Sequence, residues 1–160
     1  MEQIVNVERA KKLAKRFKID GQQLVLVGGC FDILHYGHVV FLEKAKKKGD
    51  VLMVLLESDG TVRRLKGPQR PLNTQEHRAK MLVSLRMVDV VIILPEMKNN
   101  GDYDDLINSL MPEVIAITEN DKIKEIKRKQ AKMVGARLCI VTRLVPDKST
   151  SWLQERIERE

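Results

Sequence analysis

The sequence contains little cysteine, few aromatic residues and no long apolar run. Its two cysteines, Cys30 and Cys139, provide neither a disulfide framework nor the spacing of zinc ligands. Aromatic residues make up 4% of the chain, which argues against a surface that stacks many nucleic-acid bases. Because no apolar stretch suits a signal peptide or a membrane span, we expect a cytoplasmic protein without a membrane partner.

Basic side chains are in excess, and the net charge of the 160 residues is +7. This excess predicts anionic partners such as phosphates, although most of the lysines lie on predicted helices and are better explained as a solvated surface. The length and the 43% of hydrophobic residues suit one domain with a sizeable core. We therefore expect a single domain over 1–160, with a flanking helix within 1–20 and a closing helix within 149–160.

Short apolar runs alternate with amphipathic segments along the chain. The runs are continuous and rich in β-branched residues, as expected of parallel strands that helices cover on both faces. The predicted strands are 24–27, 51–56, 88–94, 114–117 and 138–141. The predicted helices are 7–18, 38–48, 73–86, 103–110, 122–134 and 151–160, the third opened by a capping box between Asn73 and Glu76. The pattern predicts an α/β fold: a Rossmann-like, doubly wound, five-stranded parallel sheet with helices on both faces.

The segment 28–38, which reads Gly-Gly-Cys-Phe-Asp-Ile-Leu-His-Tyr-Gly-His, joins the first predicted strand to the helix that follows it. A helix that begins at the carboxyl end of such a strand offers free N–H groups to a phosphate. His35 and His38 are three residues apart, so they project to the same side of the first turn, and Gly37 leaves room for close backbone approach. The alternative is two unrelated surface histidines, but the chain has only three histidines in all. We expect this pair to hold a polyphosphate.

The stretch from Gly29 to His38 resembles the HxGH signature of the nucleotidyltransferase superfamily, Gly-x-Phe-Asp-x-Leu-His-x-Gly-His. The resemblance implies that His35 and His38 are catalytic and that they hold the triphosphate and its transition state. It also implies a nucleotide-binding role for a set of residues in this stretch. These are Gly29, Cys30, Phe31, Asp32, His35, Gly37 and His38.

The segment 58–78 contains Ser-Asp, Lys-Gly, Arg-Pro-Leu-Asn and a final arginine, a pattern similar to the heptose-1-phosphate adenylyltransferase branch of that superfamily. Lys66 is expected in a Gly/Pro-rich loop that folds over the ligand, where its charge stabilises the transition state. Arg78 is expected to be catalytic as a phosphate clamp, the alternative being a surface ion pair with Glu76 or a neighbour. The resemblance thus adds Lys66 and Arg78 to the catalytic residues.

Two further segments resemble late nucleotide-contacting turns of the superfamily. Ser149, Thr150 and Ser151 precede the last predicted helix, where hydroxyl and N–H groups suit a phosphate and can also serve as a plain N-cap. Asn120 and Asp121 follow the fourth predicted strand, on the far side of the point where the strand order reverses. All five are expected to bind nucleotide.

Two differences from the heptose-branch pattern leave open which nucleotide base the site binds and which acceptor it uses. The chain reads Thr-Glu-Asn-Asp-Lys at 118–122, where the heptose branch usually has Lys-Gly-Gly-Asp-Tyr. Residues 76–78 and 85–89 are more similar to glycerol-3-phosphate cytidylyltransferases. We favour ATP with a heptose-type sugar 1-phosphate as acceptor. CTP with glycerol 3-phosphate and ATP with FMN are the alternatives.

Other functional classes are less consistent with the sequence. An RNA-binding module is conceivable because class I aminoacyl-tRNA synthetases share the histidine signature, but the chain is short for one, and nucleic acid is an unlikely partner. A non-catalytic nucleotide binder conflicts with the intact histidine pair. Mg²⁺ is expected to accompany the triphosphate, with no protein metal site. A homodimer is expected from the resemblance and from apolar patches on 7–18 and near Met81, Met87 and Met97.

Overall fold

The computed structural model describes residues 2–143 and 155–156. Within them, six strands form one sheet in which every pair is parallel, in the order β1-β4-β3-β2-β5-β6. The strands are β1 (Ile4–Val5), β2 (Leu24–Gly29), β3 (Val51–Leu56), β4 (Val90–Ile93), β5 (Val114–Thr118) and β6 (Arg137–Thr142). The α/β class and the parallel sheet are as predicted, but the sheet has six strands instead of five. The sequence hides β1 because two residues make no recognisable run.

Helices cover both faces of this sheet. Successive residues of a strand point to opposite faces, so each strand contributes to both core layers. The helices are α1 (Val7–Ile19), α2 (Tyr36–Lys46), α3 (Asp59–Lys66), α4 (Gln75–Val83), α5 (Asn100–Leu110) and α6 (Lys124–Val134). Leu24 and Leu26 of β2 pack in the core layer shared with α1, α5 and α6. Val25 and Val27 pack in the opposite layer, shared with α2 and α4. The doubly wound arrangement explains why both faces of β2 and β3 are apolar.

Two local predictions are corrected by the structure. Lys66 does not lie inside a loop: it is the last residue of α3, which Ser58 caps by accepting a hydrogen bond from the Thr61 N–H. The capping box between Asn73 and Glu76 is also wrong. The hydroxyl of Thr74 caps α4, and the Glu76 carboxylate pairs instead with Lys80 across one turn of the helix.

The apolar patches expected at a dimer interface are used inside the protein. The apolar face of α1 is buried against the sheet through Ala10, Leu13, Ala14 and Phe17, and Met97 is buried in the same core. Met87 packs against the opposite core layer. Met81 is only half-buried and belongs to neither core cluster. The homodimer stays a prediction, and light scattering at micromolar concentration would test it.

The strand order reverses between β2 and β5. From β2 the chain proceeds through β3 to β4 on one side, and it then returns to place β5 on the other side of β2. In open parallel sheets, ligands bind in the crevice that this reversal creates at the carboxyl ends of the strands. Residues 30–35 and 119–123 lie at that edge. None of the described helices is long and apolar enough to cross a membrane.

Candidate active site

His35 and His38 lie in contact at the start of α2. His35 is the N-cap residue of the helix, and the two imidazole rings are stacked with centroids 3.8 Å apart and planes 25° apart. The ring of Phe31 lies 5.1 Å from that of His38. The spacing of three residues thus brings the two side chains to one side of the first turn, with Gly37 between them in the chain.

Burial keeps this histidine pair uncharged. It lowers the pKa of His38 to about 3, and the charges of His35 and Lys66 act in the same direction. Burial also lowers the pKa of His35. The Nδ1 atoms of both rings are buried and have no hydrogen-bond partner in the part of the chain that the structure describes. Buried polar atoms are normally paired, so these two atoms retain hydrogen-bonding capacity that the described residues do not use.

The two helices that flank the strand reversal begin differently from the others. Four of the described helices, α1, α3, α4 and α5, have an N-cap side chain that accepts a hydrogen bond from the first turn. The N-cap residues of α2 and α6, His35 and Ile123, make no such bond. The first-turn N–H groups of α2 are therefore not satisfied by a cap and can bind an anion.

The backbone before α2 takes a conformation that depends on glycine. Phe31 has a φ of 45°, in the left-handed region that non-glycine residues rarely adopt. Its ring folds back over Gly29, so that a Cβ atom at Gly29 would lie 2.9 Å from the ring. A side chain at Gly29 would therefore displace the Phe31 ring, which lies against the His38 ring.

Asp32 does not face the crevice as a free carboxylate. It is buried and receives hydrogen bonds from the Arg70 guanidinium at 2.6 Å, from the Leu72 N–H at 2.8 Å and from the Asn73 N–H at 3.1 Å. The Asn73 amide donates to the backbone carbonyl of Asp32 in return. Asp32 therefore joins the 30–35 loop to the loop between α3 and α4. Sequence reasoning had not singled out Arg70, although it stands in the quoted Arg-Pro-Leu-Asn motif.

Arg78 lies beneath the site and is completely buried, with 0% of its side chain exposed. Its guanidinium donates to the carbonyl oxygens of Asn73, Cys30 and Glu57 and to the carboxylate of Asp59. It does not pair with Glu76, and its hydrogen-bonding groups are committed to the protein. Arg78 therefore holds the chain segments that follow β2 and β3 together by hydrogen bonds to their carbonyl groups. This buried position differs from the phosphate clamp that was expected.

Lys66 is exposed and faces the same crevice. Its charge lowers the pKa of His38 and opposes the rise that burial causes in the pKa of the Cys30 thiol. No hydrogen bond or ion pair holds its ammonium group within the described residues. Gly67, with a φ of 104°, follows it and ends α3. Lys66 is thus a cation near the histidines that can reach a bound anion.

On the other side of the reversal, Asp121 organises the start of α6. Its carboxylate accepts from the Ile123 N–H at 2.9 Å and pairs with Lys127 at 2.7 Å. Asn120, next to it, is exposed. The predicted site residues Ser149, Thr150 and Ser151 lie outside the described residues, as does most of the predicted helix over 151–160.

The comparisons with known proteins show the family of this chain. A family model described as cytidylyltransferase-like matches residues 26–155. The chain belongs to this cytidylyltransferase-like family. The resemblance drawn from the histidine signature is confirmed at this level, and the match includes the histidines and the segment 58–78.

Curated relatives and solved structures add detail. The chain is 42% identical to the bifunctional protein HldE of Wolinella succinogenes over 79% of this chain and 28% of that protein. It is 40% identical to HldE of Nitratiruptor sp. over 96% of this chain and 32% of that protein. The chain thus spans less than a third of these relatives. A lipopolysaccharide core biosynthesis protein from Thermoplasma volcanium has a TM-score of 0.61 and 29% identity, covering 78% of this chain and 98% of that one.

A likeness to more distant structures concerns the fold alone. The pantoate-beta-alanine ligase of Francisella tularensis has a TM-score of 0.64 and 16% identity, covering 96% of this chain and 73% of that one.

The described residues contain no group of three or more His, Cys, Asp or Glu side chains that could hold a metal ion.

One polar pair at the same edge of the sheet was missed from the sequence. Glu57 directly follows β3, and both of its carboxylate oxygens lie 2.9 Å from the hydroxyl of Tyr103 on α5. The position of Glu57 at the end of a buried strand was the available signal. Its partner is 46 residues away in the chain, and no local pattern indicates it.

Proposed function

We propose that this chain transfers a nucleotidyl group, AMP from ATP, to a phosphorylated small molecule of the heptose 1-phosphate type. The observation that carries the proposal is the stacked pair of His35 and His38 at an uncapped helix start, with unpartnered Nδ1 atoms. Family membership supports the reaction class. The relatives support the acceptor, because HldE is a heptose-7-phosphate kinase and heptose-1-phosphate adenylyltransferase.

The reaction requires no protein nucleophile. A phosphate oxygen of the acceptor attacks the α-phosphorus of the triphosphate in line, the bond from the α-phosphorus to the bridging oxygen breaks, and pyrophosphate leaves with the electron pair. The protein contributes position and charge stabilisation. Mg²⁺, when bound with the triphosphate, supplies further charge neutralisation, and the phosphate oxygens are its main ligands in this proposal.

The two histidines act as hydrogen-bond donors to the triphosphate. Burial keeps the free imidazoles neutral, so each ring has a single N–H, and His38 also bonds the backbone of Ile33. In this proposal Nδ1 of His38 becomes a donor when the ring takes up a proton beside the bound triphosphate, and the uncapped N–H groups of α2 add further donors. A bound polyanion favours the protonated forms, so binding raises both pKa values toward the ordinary range.

Lys66 and the buried arginines have separate roles. Lys66 is exposed and reaches the β- and γ-phosphates or the acceptor phosphate. Arg78 and Arg70 are positioning residues, since Arg78 fixes the carbonyl of Cys30 and Arg70 fixes the carboxylate of Asp32. Asp121, with Asn120 beside it, is proposed to frame the nucleoside at the start of α6.

A second candidate is cytidylyl transfer to glycerol 3-phosphate. Its support is the sequence at 76–78 and 85–89, which resembles that branch.

The test of both candidates is a pyrophosphate-release screen that combines each of the four triphosphates with heptose 1-phosphate, glycerol 3-phosphate or FMN in the presence of Mg²⁺. The proposal predicts release with ATP and heptose 1-phosphate and loss of release in His35→Ala. Absence of release with every pair would contradict a transferase role.

A further inference from the structure

Glu57 and Tyr103 form a polar pair that the proposed reaction does not use. The Tyr103 hydroxyl donates to the Glu57 carboxylate, with both oxygens 2.9 Å away. Both side chains are half-buried. The pair lies at the carboxyl edge of the sheet, where Glu57 follows β3 and Tyr103 lies near the start of α5. The end of β2 is adjacent, since the Glu57 N–H bonds the Gly29 carbonyl.

The backbone holds Glu57 firmly beside the histidine loop. Its N–H donates to the carbonyl of Gly29 at 3.1 Å, and its carbonyl accepts from Arg78 at 2.9 Å. The same Arg78 guanidinium binds the carbonyl of Cys30. The backbone of Glu57 is therefore attached to the first residues of the loop that leads to His35.

The carboxylate has hydrogen-bonding capacity to spare. An ionised carboxylate offers about four acceptor positions. The single proton of the Tyr103 hydroxyl fills one of them, and no other hydrogen bond reaches these oxygens within residues 2–143 and 155–156. Burial raises the pKa of Glu57, and the Tyr103 hydroxyl and the charges of Arg64 and Lys127 only partly oppose that rise. The ion pairs of Arg64 and Lys127 go to Glu96 and Asp121 instead. The phenol oxygen of Tyr103 can also accept.

Charge and position decide what this pair can bind. A carboxylate repels phosphate, so the triphosphate is not its ligand. It accepts well from hydroxyl groups, which carry no charge. The strand reversal lies between β2 and β5, whereas Glu57 directly follows β3, which lies on the other side of β2 from β5. Because the Glu57 N–H bonds the end of β2 that leads to His35, an acceptor that meets the triphosphate there would lie beside Glu57.

We propose that Glu57 and Tyr103 bind hydroxyl groups of the acceptor and thereby select a polyhydroxylated phosphate, such as a sugar phosphate. The inference rests on the proposed nucleotidyl transfer, because it assigns the acceptor side of the same site. The two side chains are specificity-determining residues: they contact the sugar part of the acceptor, and the reacting phosphates are held elsewhere.

Two conservative variants test this assignment. Glu57→Gln keeps the shape and an acceptor oxygen for Tyr103, and Tyr103→Phe removes only the hydroxyl. With ATP, Mg²⁺ and heptose 1-phosphate, each variant should raise the KM for the sugar phosphate roughly tenfold or more, the range for lost hydrogen bonds to a charged group. The KM for ATP should change less than about twofold. Glu76→Gln, which removes an exposed carboxylate on α4, is the matched control and should behave as wild type.

Binding without turnover separates this inference from the proposed function. Calorimetry on protein loaded with a non-hydrolysable ATP analogue should show weaker binding of heptose 1-phosphate in both variants and unchanged binding of methyl phosphate, which has no hydroxyl group. If wild type binds the sugar phosphate but never releases pyrophosphate, the proposed function fails and this comparison still stands. Equal affinity in variants and wild type, no binding by wild type, or a raised KM for ATP would each overturn the inference.

Discussion

The guanidinium of Arg70 donates to the carboxylate of Asp32 over 2.6 Å, and their side chains are only 8% and 1% exposed. The same carboxylate accepts from the backbone N–H groups of Leu72 and Asn73. The pair therefore fixes two loops to each other: the loop that precedes the histidine helix and the loop that follows Lys66. This buried polar contact therefore acts beside the core packing of Phe31 in setting how the two loops lie together.

Breaking this pair should destabilise the protein strongly. Arg70→Ala leaves the Asp32 carboxylate buried without its cation, and removing one partner of a buried pair typically lowers the free energy of unfolding by about 3–5 kcal/mol. Urea denaturation monitored by circular dichroism measures the change. Lys80→Ala, which removes a cation from an exposed pair, should change the free energy by less than about 1 kcal/mol. A similar small effect for both variants would contradict the anchoring role.

Lys66→Ala should separate activity from stability. The side chain is exposed, so we expect the free energy of unfolding to change by less than about 0.5 kcal/mol. Turnover should fall by about a hundredfold, because a cation near the transferring phosphates is lost. Steady-state pyrophosphate release measures turnover, and Lys80→Ala serves again as the control. Full activity in Lys66→Ala would remove this residue from the mechanism.

The buried histidines make the stability depend on pH. The folded pKa of His38 is about 3, below its ordinary value of 6.5, and that of His35 is lowered in the same direction. Below about pH 6.5 the unfolded chain therefore binds more protons at these histidines than the folded chain does. The free energy of unfolding is thus highest above about pH 6.5 and decreases as the pH falls. Thermal denaturation between pH 7.5 and pH 5 should show a falling Tm in wild type.

A matched pair of variants isolates this effect from that of the carboxylates. His38→Asn should show a smaller fall in Tm over that range, whereas His77→Asn, at an exposed position, should follow wild type. Saturating ATP should also reduce the fall, since a bound polyanion favours protonated imidazole. A wild-type slope in His38→Asn would show that the buried ring does not carry the dependence.

The parts of this protein that were predictable depend on local spacing. The strands buried on both faces are continuous apolar runs, and the prediction over 51–56 coincides with β3. His35 and His38 meet because three residues span nearly one helical turn, a relation that any helix start provides. The loop side of the site was therefore visible in the sequence, and so was its position at the strand reversal.

The parts that were missed depend on contacts between distant segments. Arg78 has no sequence signal of burial in its helix, and its bonds to distant groups, such as the carbonyls of Cys30 and Glu57, explain why it is buried. The helix α3 was missed because Gly60 and a run of charged residues weaken its apolar pattern. Tyr103 and Glu57 are also brought together only by the packing of α5 at the sheet edge.

The preferred base can be measured without any acceptor. We expect tighter binding of ATP than of CTP, because the pattern over 64–73 resembles the adenylyltransferase branch. A site that pairs its buried polar groups with one base rejects another strongly. Calorimetric titration of the protein with each triphosphate and Mg²⁺ gives the two Kd values directly. Tighter binding of CTP would transfer the acceptor proposal to glycerol 3-phosphate and leave the histidine roles unchanged.

The central claim is that His35 and His38 stabilise the transition state of nucleotidyl transfer. Its most direct test measures kcat and the Kd for ATP in His35→Ala and His38→Ala, with His77→Ala as the control for loss of an exposed histidine. We predict that kcat falls about a hundredfold to a thousandfold in each site variant, as for loss of a preorganised donor, while the Kd for ATP changes far less. A kcat within a few fold of wild type in either variant would contradict the account.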